Sequence, residues 1–191
     1  MGSSPIAEDG GSCTVTATLS VASYSNVTVN LDYSGNATSN ADYTVSSTQI
    51  VISAGALANS ITLTGANDYS IEGVETATVS VASLVNATNG SVTSVSAEIT
   101  DDDAAPTISN DGGASNVTAD AATLNGNLTS TGGSPCSVWI YWGTNDGGAI
   151  AGNWMTSSNL GFQTQSTVSN KAVGLSGGAT YYYRYFASNM T

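Results

Sequence analysis

The chain has 191 residues, of which only 8% are charged, against roughly 25% in ordinary soluble domains. Fourteen acids face two bases and there is no His, for a net charge of −12. That balance excludes a basic face for nucleic acid or an anionic membrane, and the lack of His excludes Ser-His-Asp and Cys-His catalysis. Two distant Cys do not make a zinc site. No apolar run approaches the ~20 residues that span a bilayer, so no membrane insertion is expected. Val, Thr, Ser, Ala, Gly and Asn dominate the chain, a β-forming mix. Low charge with abundant Thr, Ser and Asn leads to an expected extracellular or cell-surface location.

Apolar and polar residues alternate at period two in short runs. In the first half the expected strands are a short one at Pro5 to Ala7, then Thr14 to Leu19 and Asn26 to Tyr33. Gln49 to Ser53 and Ser60 to Thr64 read as a pair around a turn at Gly55. Thr76 to Ser83 and Val92 to Thr100 complete about seven strands, enough for an antiparallel sandwich of about 100 residues.

Charge divides the chain more sharply than hydropathy does. Residues 1–105 hold eleven of the fourteen acids and no Lys or Arg. Residues 106–191 hold Asp111, Asp120 and Asp146 against Lys171 and Arg184, a net of −1. A boundary is expected at Ala104-Ala105-Pro106, because Pro106 restricts its neighbour to extended backbone. The expected domains are therefore 1–105 and 106–191.

The acids of the first half lie outside its strands. Glu8 precedes the first long strand, and Asp42 lies in the turn Asn40 to Thr44. Asp68, Glu72 and Glu75 fill one loop, and Asp101, Asp102 and Asp103 end the last strand. Such places can meet at one end of a sandwich. Gathered carboxylates raise each other's pKa unless a cation intervenes, and Ca²⁺ takes six to eight hard oxygen ligands from flexible loops. A solvated acidic rim is the alternative reading. Glycoside hydrolysis would need an acid and a base flanking a cleft, whereas these acids converge on each other.

Residues 5–103 resemble the Calx-β domain. The resemblance rests on Glu8 followed by Gly10-Gly11, and on Gly35-Asn36-Ala37-Thr38 leading to Asp42-Tyr43-Thr44. It continues through Ala54-Gly55, Asp68 to Glu75 with its Glu-x-x-Glu ending, and Ile99-Thr100-Asp101-Asp102-Asp103. It implies a seven-stranded immunoglobulin-like sandwich that binds Ca²⁺ in its distal loops. The implied ligands are Glu8, Asp42, Asp68, Glu72, Glu75, Asp101, Asp102 and Asp103. The position before Asp68, often a second Asp in that family, is Asn67, which removes one carboxylate from the set.

The second half holds all three Trp and five of the nine Tyr. Its expected strands are Ala122 to Leu128, Ser137 to Trp142, Ser166 to Val173 and Thr180 to Ala187. Ser137 to Trp142 is apolar on both faces, as a central strand would be. In the last strand Tyr181, Tyr183, Tyr185 and Ala187 point one way, and Tyr182, Arg184 and Phe186 the other. This half resembles a fibronectin type III domain through Ala122 to Gly126, Val138 to Gly143, Gly174 to Arg184 and Ala187-Ser188-Asn189. The spacing from Leu175 to Tyr181 is that of the tyrosine corner, in which a Tyr hydroxyl bonds upstream backbone. Gly177 stands where the family's turn Pro is usual. The resemblance implies a final strand after Asn189, and the sequence stops at Thr191.

The expected fold is thus all-β, two tandem immunoglobulin-like β-sandwiches, the second lacking its last strand. An open sheet edge there invites pairing with another chain, and two readings stand: a homopolymer, with Ser3 to Ala7 as one candidate donor, or truncation of a longer multidomain chain. The leading function is a non-enzymatic, Ca²⁺-stabilised structural or adhesive module of a surface fibre. The rivals are a Ca²⁺-responsive module for a protein or glycan ligand, and accessory domains of a secreted carbohydrate-active enzyme. Cys13 and Cys136 lie in different expected domains and read as two buried thiols or as an interdomain or intermolecular bridge. Seven Asn-x-Ser/Thr sequons (Asn26, Asn36, Asn86, Asn89, Asn116, Asn127 and Asn189) leave glycosylation open.

Overall fold

A computed structural model describes residues 4–190. It is all-β, and among the described residues its helical content is one 3₁₀ turn at Ala151–Asn153. The chain divides into two compact units. The first comprises the residues up to Asp68 with Glu72–Asp102, and the second Tyr69–Ile71 with the residues from Asp103 onward. The division thus falls at Asp102/Asp103, three residues before Pro106. Ala104 belongs with the second unit because its N–H donates to Gly132 O (3.1 Å) and its carbonyl accepts from Asn189 Nδ2 (2.8 Å).

In the first unit, alternation becomes two facing sheets. One sheet runs in the order β1 (Ile6–Ala7), β8 (Ser94–Thr100), β7 (Glu75–Val85), β3 (Val27–Gly35), β5 (Gln49–Ile52). The other runs β2 (Ser12–Thr18), β6 (Ala58–Gly65), β4 (Tyr43–Val45). Val15, Val27, Val29, Ile50, Ile52, Ile61, Leu63 and Val79 fill the space between them, which is the burial that drives the fold. The expected pairing around Gly55 does not occur. β5 pairs with β3, and β6 pairs with β2 and β4, so the chain crosses from one sheet to the other at Gly55. Both strands carry apolar residues at period two, and that pattern does not say which side of the core a strand occupies. Ile6 is buried and Ile6–Ala7 already pair in parallel with Ile99–Thr100. They are therefore engaged at home rather than free as a donor strand, and Ser3 lies outside the described residues.

The second unit also has two sheets. In one, β11 (Ala121–Ser130) is flanked by β14 (Ser166–Val173) on one edge and by β9 (Thr107–Ser109) and β10 (Ala114–Ser115) on the other. In the other, β12 (Cys136–Gly143) lies between β13 (Thr156–Gln163) and β15 (Tyr182–Ser188). The central position expected for residues 137–142 is observed, with Val138 and Ile140 wholly buried. Trp139, Tyr141 and Phe186 are half-buried on the opposite face, where Tyr141 meets Phe186 edge-on at 5.0 Å. Tyr185 spans the core, and its hydroxyl donates to Leu124 O (2.8 Å). Gly126 makes room for that ring, since a Cβ there would lie 2.5 Å from it. Burial pushes the Tyr185 hydroxyl up to about 12. Ser176 N–H donates to the Tyr181 hydroxyl (3.1 Å), the upstream backbone bond that the Leu175 to Tyr181 spacing predicts.

β15 pairs with β12 along one edge, and no strand of the described residues pairs with its other edge. Part of that edge is occupied by a side chain. Asn110 donates from Nδ2 to Tyr183 O (2.8 Å) and accepts at Oδ1 from Tyr185 N–H (3.0 Å). Its amide imitates one peptide unit of a neighbouring strand. Cys13 and Cys136 are buried free thiols, one in each unit. No helix among the described residues is long and apolar enough to cross a membrane.

Candidate metal centre

At one end of the first unit β1 and β8 finish, β7 begins, and the turn before β4 lies close by. Glu8 follows β1 directly, and its N–H donates to Thr100 O (3.0 Å), which extends the ladder by one bond. Gly11 and Gly65 let two strand ends pass closely over this segment. A Cβ on Gly11 would lie 2.4 Å from Ala7 N, and one on Gly65 would lie 2.4 Å from Ala7 O. Gly65 N–H in turn donates to Gly11 O (2.8 Å). Glu8 is held in this crowded seat at 3% exposure.

Asp42 is placed by its own turn. Its N–H donates to Thr38 O (3.0 Å), the Thr38 N–H donates back to Asp42 Oδ2, and Ala66 N–H donates to Asp42 O (3.0 Å). The side chain is 6% exposed and its neighbour Tyr43 is core. Glu75 opens β7 opposite Ile99 of β8. The loop between β6 and β7 is tied down by carboxylates at two points. Glu8 Oε1 accepts from Asp68 N–H (3.1 Å), and Asp101 Oδ2 accepts from Glu72 N–H (2.6 Å).

Carboxylate oxygens of Asp42, Glu72 and Glu75 lie within 4.8 Å of one another. Glu75 Oε2 is buried with no hydrogen-bond partner. The Glu75 carboxyl is raised from 4.5 to about 7, first by loss of water, then by the neighbouring Asp42 carboxylate, toward which the protonated Glu75 would donate, and by the charges of Glu72 and Glu8. Glu72 is raised too, by partial withdrawal from water and then by Asp42, Asp68 and Asp101. No Lys or Arg in residues 1–105 can offset these charges.

The eight carboxylates singled out in the sequence therefore take different places. Asp42, Glu72 and Glu75 converge. Glu8 and Asp101 hold the loop that carries Asp68 and Glu72, each through one of its backbone amides. Asp102 is exposed, and Asp103 is buried but falls in the second unit. Sequence spacing had no way to separate Asp103 from Asp101. It also did not show that Glu8 and Asp101 accept backbone N–H groups, because both donors depend on how the loop folds back.

An all-oxygen, carboxylate-rich set with an unpartnered buried oxygen suits a hard divalent cation. Ca²⁺ accepts irregular geometry and loop ligands more readily than Mg²⁺, which demands a near-ideal octahedron.

No protein family model matches the chain, and no curated protein matches it. Among solved structures, the calcium binding domain CBD12 of CALX1.1 aligns over 100% of this chain and 80% of its own, at 11% identity and a TM-score of 0.48. CBD12 from CALX1.2 aligns over 98% of this chain and 71% of its own, at 13% identity and a TM-score of 0.45. The YadV chaperone aligns over 97% of this chain and 89% of its own, at 12% identity and a TM-score of 0.31.

Proposed function

We propose that the chain is a non-enzymatic module whose first unit is a Calx-β-like sandwich stabilised by Ca²⁺. The observation that carries this reading is the convergence of Asp42, Glu72 and Glu75, with Glu75 Oε2 buried and without a hydrogen-bond partner, in a unit with no basic residue. Asp42, Glu72 and Glu75 would hold the ion, and Glu8 and Asp101 would keep the β6–β7 loop in the shape that presents Glu72. The bound ion supplies positive charge where the protein supplies none. Binding to the folded state alone then stabilises it. In this reading the ion acts as a structural brace.

The second unit is read as a fibronectin type III-like sandwich, supported by the Tyr181 corner bond. With it goes an extracellular, adhesive or structural role, in which the β15 edge joins copies into a fibre. A Ca²⁺-responsive module for a protein or glycan is the alternative. The β15 edge supports the fibre, because among the described residues no strand pairs with its outer side, which Asn110 covers only in part, and an exposed strand edge can template pairing with another chain.

Calorimetric titration of the chelator-treated chain with CaCl₂ tests the central claim. Saturable binding that Glu75→Gln weakens at least tenfold supports it. No heat at millimolar Ca²⁺ overturns it. Measuring the large-scale conformation with and without Ca²⁺, by small-angle scattering, separates a brace from a sensor.

A further inference from the structure

The sequence holds two Asn-Gly pairs, Asn89-Gly90 and Asn125-Gly126. In such a pair the side-chain amide carbon lies within reach of the next backbone nitrogen, and glycine has no Cβ to hinder the approach. The two can react only where the fold leaves both able to move, and the fold treats the two pairs in opposite ways. Asn125-Gly126 lies within β11, which has strands on both edges. Asn125 Nδ2 donates to Gly113 O (2.8 Å) and to Ser115 Oγ (3.0 Å). Asn125 N–H also donates to Gly113 O (3.2 Å). Gly126 N–H therefore points to the other edge, where Val168 of β14 is its opposite residue. Gly126 itself is buried under the Tyr185 ring. Here the amide is held by its bonds and the nitrogen by the ladder.

Asn89-Gly90 lies in the connection from β7 to β8. The ends of that connection are fastened. Asn86 Nδ2 donates to Asn26 O (2.9 Å), and Val81 N–H donates to Thr93 O (2.9 Å). Between these points residues 88–92 are all exposed. Among the described residues, neither the Asn89 amide nor Gly90 N–H makes a hydrogen bond. A Cβ on Gly90 would meet nothing within 4 Å, and Gly90 is not in the left-handed region. The side chain and the backbone can therefore turn toward each other without displacing a neighbour.

We propose that Asn89 is a site of spontaneous modification, at which the side-chain amide is lost through a cyclic imide formed with Gly90. The Gly90 nitrogen gives its proton to hydroxide and attacks Asn89 Cγ. The new N–Cγ bond forms, the Cγ–Nδ2 bond breaks, and ammonia leaves after taking a proton from water. Water then opens the imide on either side of the nitrogen. Cleavage of the N–Cγ bond gives Asp. Cleavage of the bond to the Asn89 backbone carbonyl gives isoaspartate, with the main chain running through Cγ. In sum one amide and one water become one carboxylate and one ammonium ion, with no change of oxidation state. Either product adds a negative charge to a segment, residues 1–105, that already holds eleven acids and no base. Either product also removes the Asn-x-Ser acceptor at this position. β7 begins at Glu75, beside the carboxylate set, and ends at this connection. The site is thus at the far end of the strand, and the proposal does not depend on Ca²⁺.

The test incubates the full 191-residue chain in mildly alkaline buffer made with heavy-oxygen water and follows its peptides by mass spectrometry. In the folded chain the Asn89 peptide should split into labelled Asp and isoaspartate forms at least tenfold faster than the Asn125 peptide reacts. In urea the two pairs should react at comparable rates, since the protection of Asn125 comes from the fold. Gly90→Ala places a methyl group in open space, so the circular dichroism spectrum should not change, while reaction at Asn89 should slow at least tenfold. Those results together support the proposal. An Asn89 that stays intact in the folded chain while the urea-treated chain reacts overturns it, as do equal rates at Asn89 and Asn125 in the folded chain. Loss of the Asn89 amide at a rate that Gly90→Ala leaves unchanged would mean direct hydrolysis without the imide, which also overturns it.

Discussion

Glu75 and Asp42 bring carboxylate oxygens within 4.8 Å of one another at the end of the first unit, and burial followed by the influence of Asp42, Glu72 and Glu8 raises the Glu75 carboxyl to about 7. That rise reverses the usual response of a carboxylate to pH. The folded-state value of Glu75, about 7, lies above its ordinary 4.5. The folded protein therefore holds a proton that the unfolded chain releases between those values. The stability this contributes is full below 4.5 and is lost as pH rises through 7. With chelator present, the melting temperature should fall between pH 5 and pH 7.5. With CaCl₂ the ion keeps the carboxylates ionised, and the fall should flatten or reverse. Equal slopes in both conditions would remove the ion from this site.

The same pair predicts a crossover on substitution. Glu75→Gln deletes a charge that Asp42, Glu72 and Glu8 oppose, so in chelator the variant should melt at or above the parent. In CaCl₂ it should melt below, because one anionic ligand is gone. For the parent, a hundredfold excess of ion over its Kd adds about 2.7 kcal/mol, a gap of several degrees. Glu72→Gln should narrow that gap as well. Paired melts of the two variants, with and without the ion, check the claim.

Part of this site was legible in the sequence and part was not. Asp42, Glu72 and Glu75 stand out because they lie between strands in a segment without a single basic residue. The burial of Glu8 was not legible, because it depends on Gly11 and Gly65 passing over Ala7 from two separate strands. The strands followed the same division. Ser166–Val173 is read correctly to the residue, since Val168 and Ala172 face the core and the polar residues face out. β13 was missed. As an edge strand it presents Thr, Ser, Asn and a Gly, and Leu160 is its one contribution to the core. The three-residue β4 and β9 and the two-residue β10 are too short to show a period.

The tyrosine corner gives a prediction for the second unit alone. Ser176 N–H has its bond to the Tyr181 hydroxyl at 3.1 Å. Tyr181→Phe keeps the ring and deletes the acceptor, so the cost should be about 0.5–1.5 kcal/mol, the net worth of one such bond. Denaturant unfolding followed by the fluorescence of Trp139, Trp142 and Trp154 reports it, because all three lie in that unit. The first unit contains no Trp and should leave the signal unchanged.

Asn110 offers the most direct handle on the β15 edge. Its amide accepts from Tyr185 N–H and donates to Tyr183 O, so it holds the two backbone groups that a neighbouring strand would use first. A second copy that adds a strand there must displace it. Asn110→Ala should therefore do two things. Tyr185 N–H loses its partner in a part-buried position, which costs about 1–3 kcal/mol for a group left unsatisfied, and hydrogen exchange at Tyr185 should speed up. The freed edge should also bind its partner more readily, so sedimentation velocity should show more association in the variant than in the parent at equal concentration. Asn110→Asp is the control. It keeps an acceptor for Tyr185 N–H, loses the donor to Tyr183 O and adds a charge at the edge, which should suppress association. Destabilisation without any change in sedimentation, in both variants up to high micromolar concentration, would mean that the β15 edge is not where copies meet.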